Sequence, residues 1–263
     1  MDTQQLERLF SVQGKTVLIT GGSSGIGLMM AEGFVRAGAR VYITGRKPEP
    51  LEDARKRLAE LGDVRAIQGD VATPEGLDEV VKTISAHEPR LHVLVNNAGI
   101  TWGAPVEKFP ASAFDSVMAV NVRAPFQLVQ ALLPQLEAAA SAEDPARVIN
   151  VGSIYGVSGQ VMKAWSYGAS KAAIHHLTVS LAAELAPRRI LVNAIAPGFF
   201  PSKMTHFVMK DEGRRAEMMN FIPLGRPGAQ EDVAGLALFL SSRAGAYMTG
   251  NIIPLDGGVL AAR

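Results

Sequence analysis

The chain of 263 residues contains no cysteine. That absence excludes disulfides, thiolate zinc sites, iron–sulfur ligation and a cysteine nucleophile. An excess of charge of either sign is also missing: 26 Lys and Arg stand against 25 Asp and Glu, a net charge of +1. So balanced a chain is not expected to present a broad electropositive surface to nucleic acid. No run reaches the roughly 18–20 apolar residues of a membrane span. The stretch MDTQQLERLFSVQGK has early acids and lacks the apolar core of a signal peptide. His87, His92, His175, His176 and His206 fall in no ligand spacing such as HExxH, so no metal is expected. What the chain does have is 48% hydrophobic residues against 19% charged, enough for a sizeable core and too many for wholesale disorder. The expectation is a soluble, cytoplasmic globular protein with neither nucleic acid nor membrane as a partner.

Val17–Thr20 is a short apolar run that stops at a glycine cluster, and residues 25–37 then repeat apolar and small residues at helical spacing up to Gly38. Arg40–Thr44, Val64–Gln68 and Leu91–Val95 read as the second, third and fourth strands, with a charged helical stretch over 51–61. Thr73 and Pro74 have the chemistry of an N-cap and a first helical residue. Ala113–Ala140 is a long helical region in which Pro125 and Pro134 predict a kink or separate pieces. Strands over Arg147–Val151, Ile190–Ile195 and Asn251–Pro254, and helices over Tyr167–Glu184 and Glu231–Leu240, complete the pattern. Strands that are apolar throughout and alternate with helices predict one doubly wound, Rossmann-like α/β domain over 1–263. Its parallel sheet should have about seven strands, with helices on both faces. Residues 198–227 hold several Phe and Met but no strand, and read as a substrate-side lid.

After the first strand, Gly21-Gly22-Ser23-Ser24-Gly25-Ile26-Gly27 leads directly into a helix. Glycines permit a tight turn and close approach of the backbone to a phosphate, and the helix N-terminus supplies free N–H groups and positive potential. The GxxxGxG spacing between a first strand and a helix therefore predicts a dinucleotide site. The second strand ends Thr44-Gly45-Arg46-Lys47, with two cations where an acid would accept from the ribose hydroxyls of NAD. A guanidinium there pairs with a 2′-phosphate, so NADP(H) is expected over NAD(H).

Tyr167-Gly168-Ala169-Ser170-Lys171 puts a phenol and an ammonium one helical turn apart. A neighbouring cation favours phenolate and lowers the phenol pKa from its ordinary value near 10. Ser153, just past the fifth strand, offers a hydroxyl to a substrate carbonyl. Together with TGGSSGIG at 20–27, Asp70-Val71, Asn96-Asn97-Ala98-Gly99, Asn121 and Pro197-Gly198, these residues stand in the order of the short-chain dehydrogenase/reductase family, which the sequence resembles over nearly its full length. The resemblance implies Tyr167 as general acid in reduction and base in oxidation, and Ser153 as stabiliser of the carbonyl oxygen. It implies Lys171 as holder of the ribose hydroxyls and acidifier of Tyr167, and Asn121 as a helix interruption that positions a water relay to Lys171. By the same resemblance Asp70 and Val71 contact adenine, Asn97, Ala98 and Gly99 line the cofactor, and Pro197, Gly198, Phe200 and Ser202 lie at the nicotinamide end. Members that prefer NADP often carry a basic residue at the position of Ser24, which leaves Arg46, with Lys47, to hold the phosphate here.

The substrate side is expected to be built from Trp102, Ile154, Tyr155, Val161, Met162, Phe199, Phe200, Met204 and Phe207, a nearly uncharged set that suits a hydrophobic ketone or acyl chain. The stretches NNAGITWGAP, ASAEDPARVINVGSI and IAPGFFPSKMT look closest to bacterial NADPH-dependent 3-oxoacyl reductases of the rhamnolipid-synthesis type. A substrate linked to carrier protein or CoA would suit a basic patch at Lys163, Lys203, Lys210, Arg214 and Arg215. An oxidative alcohol or polyol dehydrogenase is the alternative reading, and a non-catalytic nucleotide-binding protein a third. His175-His176 reads as a packing or interface pair, since adjacent helical residues point apart. Relatives of this kind imply a homotetramer or homodimer, assembled through the helices at 113–140 and 167–184.

Overall fold

Alternate residues along the strands supply two apolar layers, so the sheet needs a cover on each side. The computed structural model describes residues 2–159, 163–201 and 211–262, with Arg214 described for its backbone alone. Seven strands are present: β1 (Thr16–Ile19), β2 (Arg40–Gly45), β3 (Val64–Gln68), β4 (Val93–Asn96), β5 (Ala146–Val151), β6 (Ile190–Pro197) and β7 (Ile252–Leu255). They form one parallel sheet in the order β3-β2-β1-β4-β5-β6-β7, with Val17 opposite both Val41 and Val93.

An exposed helix, α1 (Thr3–Phe10), precedes the sheet and is capped reciprocally by Asp2 and Gln5. One face of the sheet is covered by α2 (Gly25–Arg36) and α3 (Pro48–Ala59), whose Phe34 and Leu58 pack on Val17, Ile43 and Val95. The opposite face receives α4 (Pro74–His87), where Ile84 packs against Leu18 and Leu94. Next comes α5 (Ala111–Met118), which runs through a π-helical turn at Ala119–Arg123 into α6 (Ala124–Ala131) and α7 (Leu133–Ala139). The long helix α8 (Trp165–Leu185) completes that layer with Ala182 and Leu185. After α9 (Glu212–Phe221), α10 (Gln230–Ser241) returns to the first face, so close to α2 that a Cβ on Gly33 would strike Ala234. Fully sequestered side chains such as Leu18 and Ile43 contribute about 2 kcal/mol each by leaving water. None of the described helices is long and apolar enough to cross a membrane.

The structure refines the element boundaries for identifiable reasons. Strand β4 begins at Val93 rather than Leu91, because the Leu91 N–H donates to the Gln135 carbonyl (3.0 Å) and not to the ladder. Helix α3 begins at Pro48, which takes the first-turn position that needs no N–H. The region 113–140 does come in pieces: Pro134 opens α7 and Pro125 lies in the first turn of α6. The strands are not apolar throughout. Edge strand β3 leaves Arg65 and Gln68 exposed, and Arg147 in β5 is a fully buried cation. Arg147 is accommodated by Asp144, the Pro145 carbonyl and the Ser242 carbonyl (2.8 Å), while Lys15 holds the same carboxylate at 2.7 Å. A buried charge survives only with partners of this kind.

Strand order reverses beside β1, whose neighbours are β2 and β4. In an open parallel sheet that reversal leaves a crevice at the carboxyl ends of the strands, and the candidate site lies there.

Candidate active site

The glycine turn after β1 is shaped by contacts that tolerate no side chain. Gly21 and Gly25 have φ of +66° and +56°, in the left-handed region that glycine adopts freely. Gly27, in the first turn of α2, leaves no room for a Cβ, which would run into the Asn97 amide and the Gly21 carbonyl. The Asn97 amide donates to the carbonyls of Thr20 (2.8 Å) and Gly21 (3.2 Å), and the Thr20 hydroxyl accepts from the N–H groups of Asn97 and Ala98, both at 3.0 Å. The loop after β4 is thus fastened to the turn after β1, and Ser24 caps α2 without engaging its free N–H groups through its side chain. Those groups and the close-packed glycines fit a pyrophosphate. At the end of β2, Arg46 projects from the cleft wall 61% exposed, with its guanidinium 3.7 Å from Asp70. An exposed pair at that distance holds Arg46 weakly, which leaves it available to a 2′-phosphate.

The reactive groups converge from β5 and α8. Ser153 is the N-cap of a short 3-10 turn (Ile154–Gly156), and its Oγ accepts from the Tyr155 N–H (3.2 Å), so the hydroxyl proton remains to be donated. Tyr167 and Lys171 lie one turn apart on α8, with the Lys171 Nζ 5.5 Å from the Tyr167 ring centre. The Tyr155 and Tyr167 rings meet edge to face, 6.5 Å apart. Lys171 is buried and donates to the Val151 carbonyl at 2.7 Å; burial alone depresses its ammonium to about 8. The expected acidification of Tyr167 by Lys171 is not the dominant effect. Burial raises the phenol pKa, and the opposing pull comes from the hydroxyl of Ser153. Lys171 is itself desolvated and turned toward Val151, which explains its weak hold on the phenol.

Asn121 occupies the π turn, as the expected helix interruption requires. Pro125 has no N–H for the carbonyl four residues back, and a widened turn accommodates the deficit. The Asn121 side chain is fully used: Oδ1 accepts from Ile100 N (2.9 Å), and Nδ2 donates to Ile100 O and Ser170 Oγ, both at 3.0 Å. It therefore braces the loop after β4 against α8.

A cleft of about 960 Å³ joins these parts. Of the expected cofactor residues, Gly21, Ser23, Ser24, Gly25, Ile26, Arg46, Asp70, Val71, Asn97, Ala98, Gly99, Pro197, Gly198 and Phe200 line it, as do Ser153, Tyr167 and Lys171. Gly27 lies behind the wall and acts through packing. Of the expected substrate residues, Tyr155 and Phe199 line the cleft. Ile154 does not: the 3-10 turn rotates it inward, 1% exposed, against Met218, Ile222 and Val259. Trp102 is 51% exposed and stands away from the lining. Val161, Met162, Ser202, Met204 and Phe207 lie outside the described residues, as do Lys203, Lys210 and the Arg214 side chain. Lys163 and Arg215 are exposed.

Residues not foreseen also line the wall, among them Thr101, Gly103 and Ala164, and Glu217, Met218 and Phe221 from α9. Phe221 meets Phe199 edge to face at 6.0 Å. The Phe and Met content of 198–227 pointed to this segment but not to the helical face it presents.

Comparison with known proteins places nearly the whole chain among oxidoreductases of one family. Residues 21–260 match a family model described as enoyl-(acyl carrier protein) reductase. The chain is 47% identical to a rhamnolipids biosynthesis 3-oxoacyl-acyl-carrier-protein reductase of Pseudomonas aeruginosa over 95% of this chain and 97% of that protein. It is 35% identical to a 5-keto-D-gluconate 5-reductase of Escherichia coli, covering 97% and 98%. Among solved structures it resembles the Pseudomonas aeruginosa RhlG/NADP active-site complex, with a TM-score of 0.93 and 47% identity over 96% of this chain and 98% of that one. It also resembles a gluconate 5-dehydrogenase from Burkholderia cenocepacia in complex with NADP and tartrate, with a TM-score of 0.89 and 29% identity over 98% and 100%.

Proposed function

Because the chain belongs to the short-chain dehydrogenase/reductase family, we propose that it is an NADP(H)-dependent oxidoreductase that reduces the carbonyl of a 3-oxoacyl thioester, or of a similarly apolar ketone, to a secondary alcohol. The observation that carries this reading is the character of the cleft wall. Beyond the cofactor half, Tyr155, Phe199, Met218 and Phe221 make it aromatic and apolar, and among the described side chains of α9 the charged one that lines it is the acid Glu217. Among the described residues, no Lys or Arg other than Arg46 and Lys171 lines the cleft. A sugar acid such as gluconate carries a carboxylate and several hydroxyls, and would call for cations and hydrogen-bond donors in this wall. An acyl chain calls for neither. The gluconate relatives are therefore read as sharing the scaffold and the chemistry rather than the substrate.

The glycine turn, Arg46 and the N-terminus of α2 would hold NADP(H), which supplies hydride to the carbonyl carbon. Lys171 is assigned to its ribose hydroxyls and Asp70 and Val71 to its adenine. Ser153 donates to the carbonyl oxygen as negative charge develops there, and Tyr167 delivers the proton. A phenol whose pKa is raised by burial is protonated at neutral pH, so it can meet a substrate carbonyl as an acid. Asn121 keeps α8 and the loop after β4 in register while the Lys171 side of the site is reprotonated from solvent. Of the expected lid at 198–227, residues 202–210 lie outside the described residues, and α9 is assigned to cover the acyl chain; the exposed Lys163 and Arg215 are assigned to an acidic carrier. Exposed Phe114, Phe126 and Val179 on α5, α6 and α8 support a homodimer or homotetramer built on those helices.

The test is oxidation of NADPH and of NADH with a 3-oxoacyl-CoA, a 5-keto sugar acid and an aryl ketone. The thioester with NADPH is expected to be the fastest pair, and Tyr167→Phe should lower its turnover by about two to four orders of magnitude while NADPH binding persists. Preference for the sugar acid would overturn the substrate reading, and preference for NADH would overturn the role of Arg46.

A further inference from the structure

The sequence presents His175 as half of an ordinary packing pair, but the structure puts its ring directly beneath the serine turn. His175 is 6% exposed on α8, one turn beyond Lys171 and two beyond Tyr167. Its Nε2 faces the Ser153 N–H at 3.4 Å, and the ring also meets the Gly156 carbonyl. The fit is tight on both sides of Ser153. A Cβ on Gly152 would run into the His175 ring, and a Cβ on Gly156 would lie 2.5–2.8 Å from the Lys171–Ala172 backbone. The turn bearing Ser153 thus touches α8 at two points, one turn of helix apart, and one of them is an imidazole.

We propose that His175 is a positioning residue for the reduction: its Nε2 accepts from the Ser153 N–H and sets the height of the Ser153 hydroxyl relative to Tyr167. An acceptor at Nε2 requires a neutral ring with its proton on Nδ1. Burial, and then the neighbouring Lys171 ammonium, push the imidazole down to about 4, so the ring stays neutral at working pH and its acceptor is available. The ring does not touch the reacting atoms. Its effect passes through Ser153, and the inference rests on the role given to Ser153 under Proposed function.

The test is a double-mutant cycle with NADPH and the 3-oxoacyl-CoA, reading kcat, KM for each substrate and the dissociation constant of NADPH. His175→Leu fills the space without an acceptor and is expected to lower kcat about tenfold or more, with NADPH affinity within about twofold of the parent. His175→Gln returns an acceptor to the same reach and is expected to recover most of the loss. In a Ser153→Ala background, His175→Leu should change kcat by less than about twofold, because its route to the substrate is already gone. A second full loss in that background, or unchanged kcat in the single His175→Leu variant, overturns the inference while leaving the role of Ser153 standing. Unimpaired turnover in Ser153→Ala alone overturns both. Nitrogen NMR of the unmutated protein gives a measurement that needs no variant to fold: Nε2 is expected to be the unprotonated, pyridine-like nitrogen of His175, and a proton found on Nε2 at neutral pH overturns the inference.

Discussion

Acidification should unfold this protein partly through His175, and the size of that effect follows from the structure. The imidazole pKa is pushed from 6.5 to about 4, by burial first and the Lys171 charge second. Between those values the unfolded chain binds a proton that the folded chain refuses, so stability falls as the pH falls through the window. A depression of about two and a half units at roughly 1.4 kcal/mol per unit sets an upper limit of about 3 kcal/mol. The ring is nearly inaccessible, so little solvent screening reduces that figure. His92 is also lowered by burial and adds to the same limb, while Glu32, Asp144 and Asp232, all lowered, lose their contributions at still lower pH. The difference between the parent and His175→Gln therefore isolates one group. Urea unfolding followed by tryptophan fluorescence across the window, at one protomer concentration so that assembly does not intrude, is expected to show the parent losing more stability than the variant, by up to about 3 kcal/mol. Parallel stability curves for the two would refute the reasoning, since a ring free to protonate in the folded state has no such linkage.

Three further outcomes follow from the same geometry. Lys171 is depressed from 10.5 to about 8 by desolvation, which penalises the folded state below pH 8 and relents as the pH rises toward 10.5. Lys171→Met should therefore abolish turnover yet raise the melting temperature of the cofactor-free protein by several degrees at neutral pH, after about 1–2 kcal/mol is deducted for the Val151 carbonyl left without its donor; an unchanged or lower melting temperature in calorimetry would refute this. Arg46→Ala should weaken NADPH about 10–100-fold by fluorescence titration and leave NADH nearly unchanged. Gly27→Ala forces a methyl against the Asn97 amide, so it should cost about 1–3 kcal/mol in urea unfolding and weaken both cofactors together.

The parts of this molecule that could be read from the sequence are those whose cause is local. Tyr167 and Lys171 share a helix face because they are four apart, and the glycine turn announces itself between a strand and a helix. The two-sided cover of the sheet was visible because residues such as Leu18 and Ile19 are apolar on both faces. Where a distant residue decides, the sequence was silent or misleading. Arg147 looks wrong for a buried strand until Asp144 and the Ser242 carbonyl close around it. Ile154 adjoins Ser153 and was expected to share its pocket, yet one 3-10 turn sends the hydroxyl to the cleft and the isoleucine to Met218 and Ile222. Pro125 foretold an interruption, but not that the interruption would be a π turn holding Asn121 between Ile100 and Ser170. His175 is the sharpest case. Nothing in a His-His pair says which ring turns inward, and its partner arrives on the turn just past β5, from 22 positions upstream. A motif records residues that meet the ligand, because ligand chemistry restricts residue type at a fixed spacing. A residue that works by holding another residue in place is restricted only by the contact it makes, and that contact comes into being when the chain has folded.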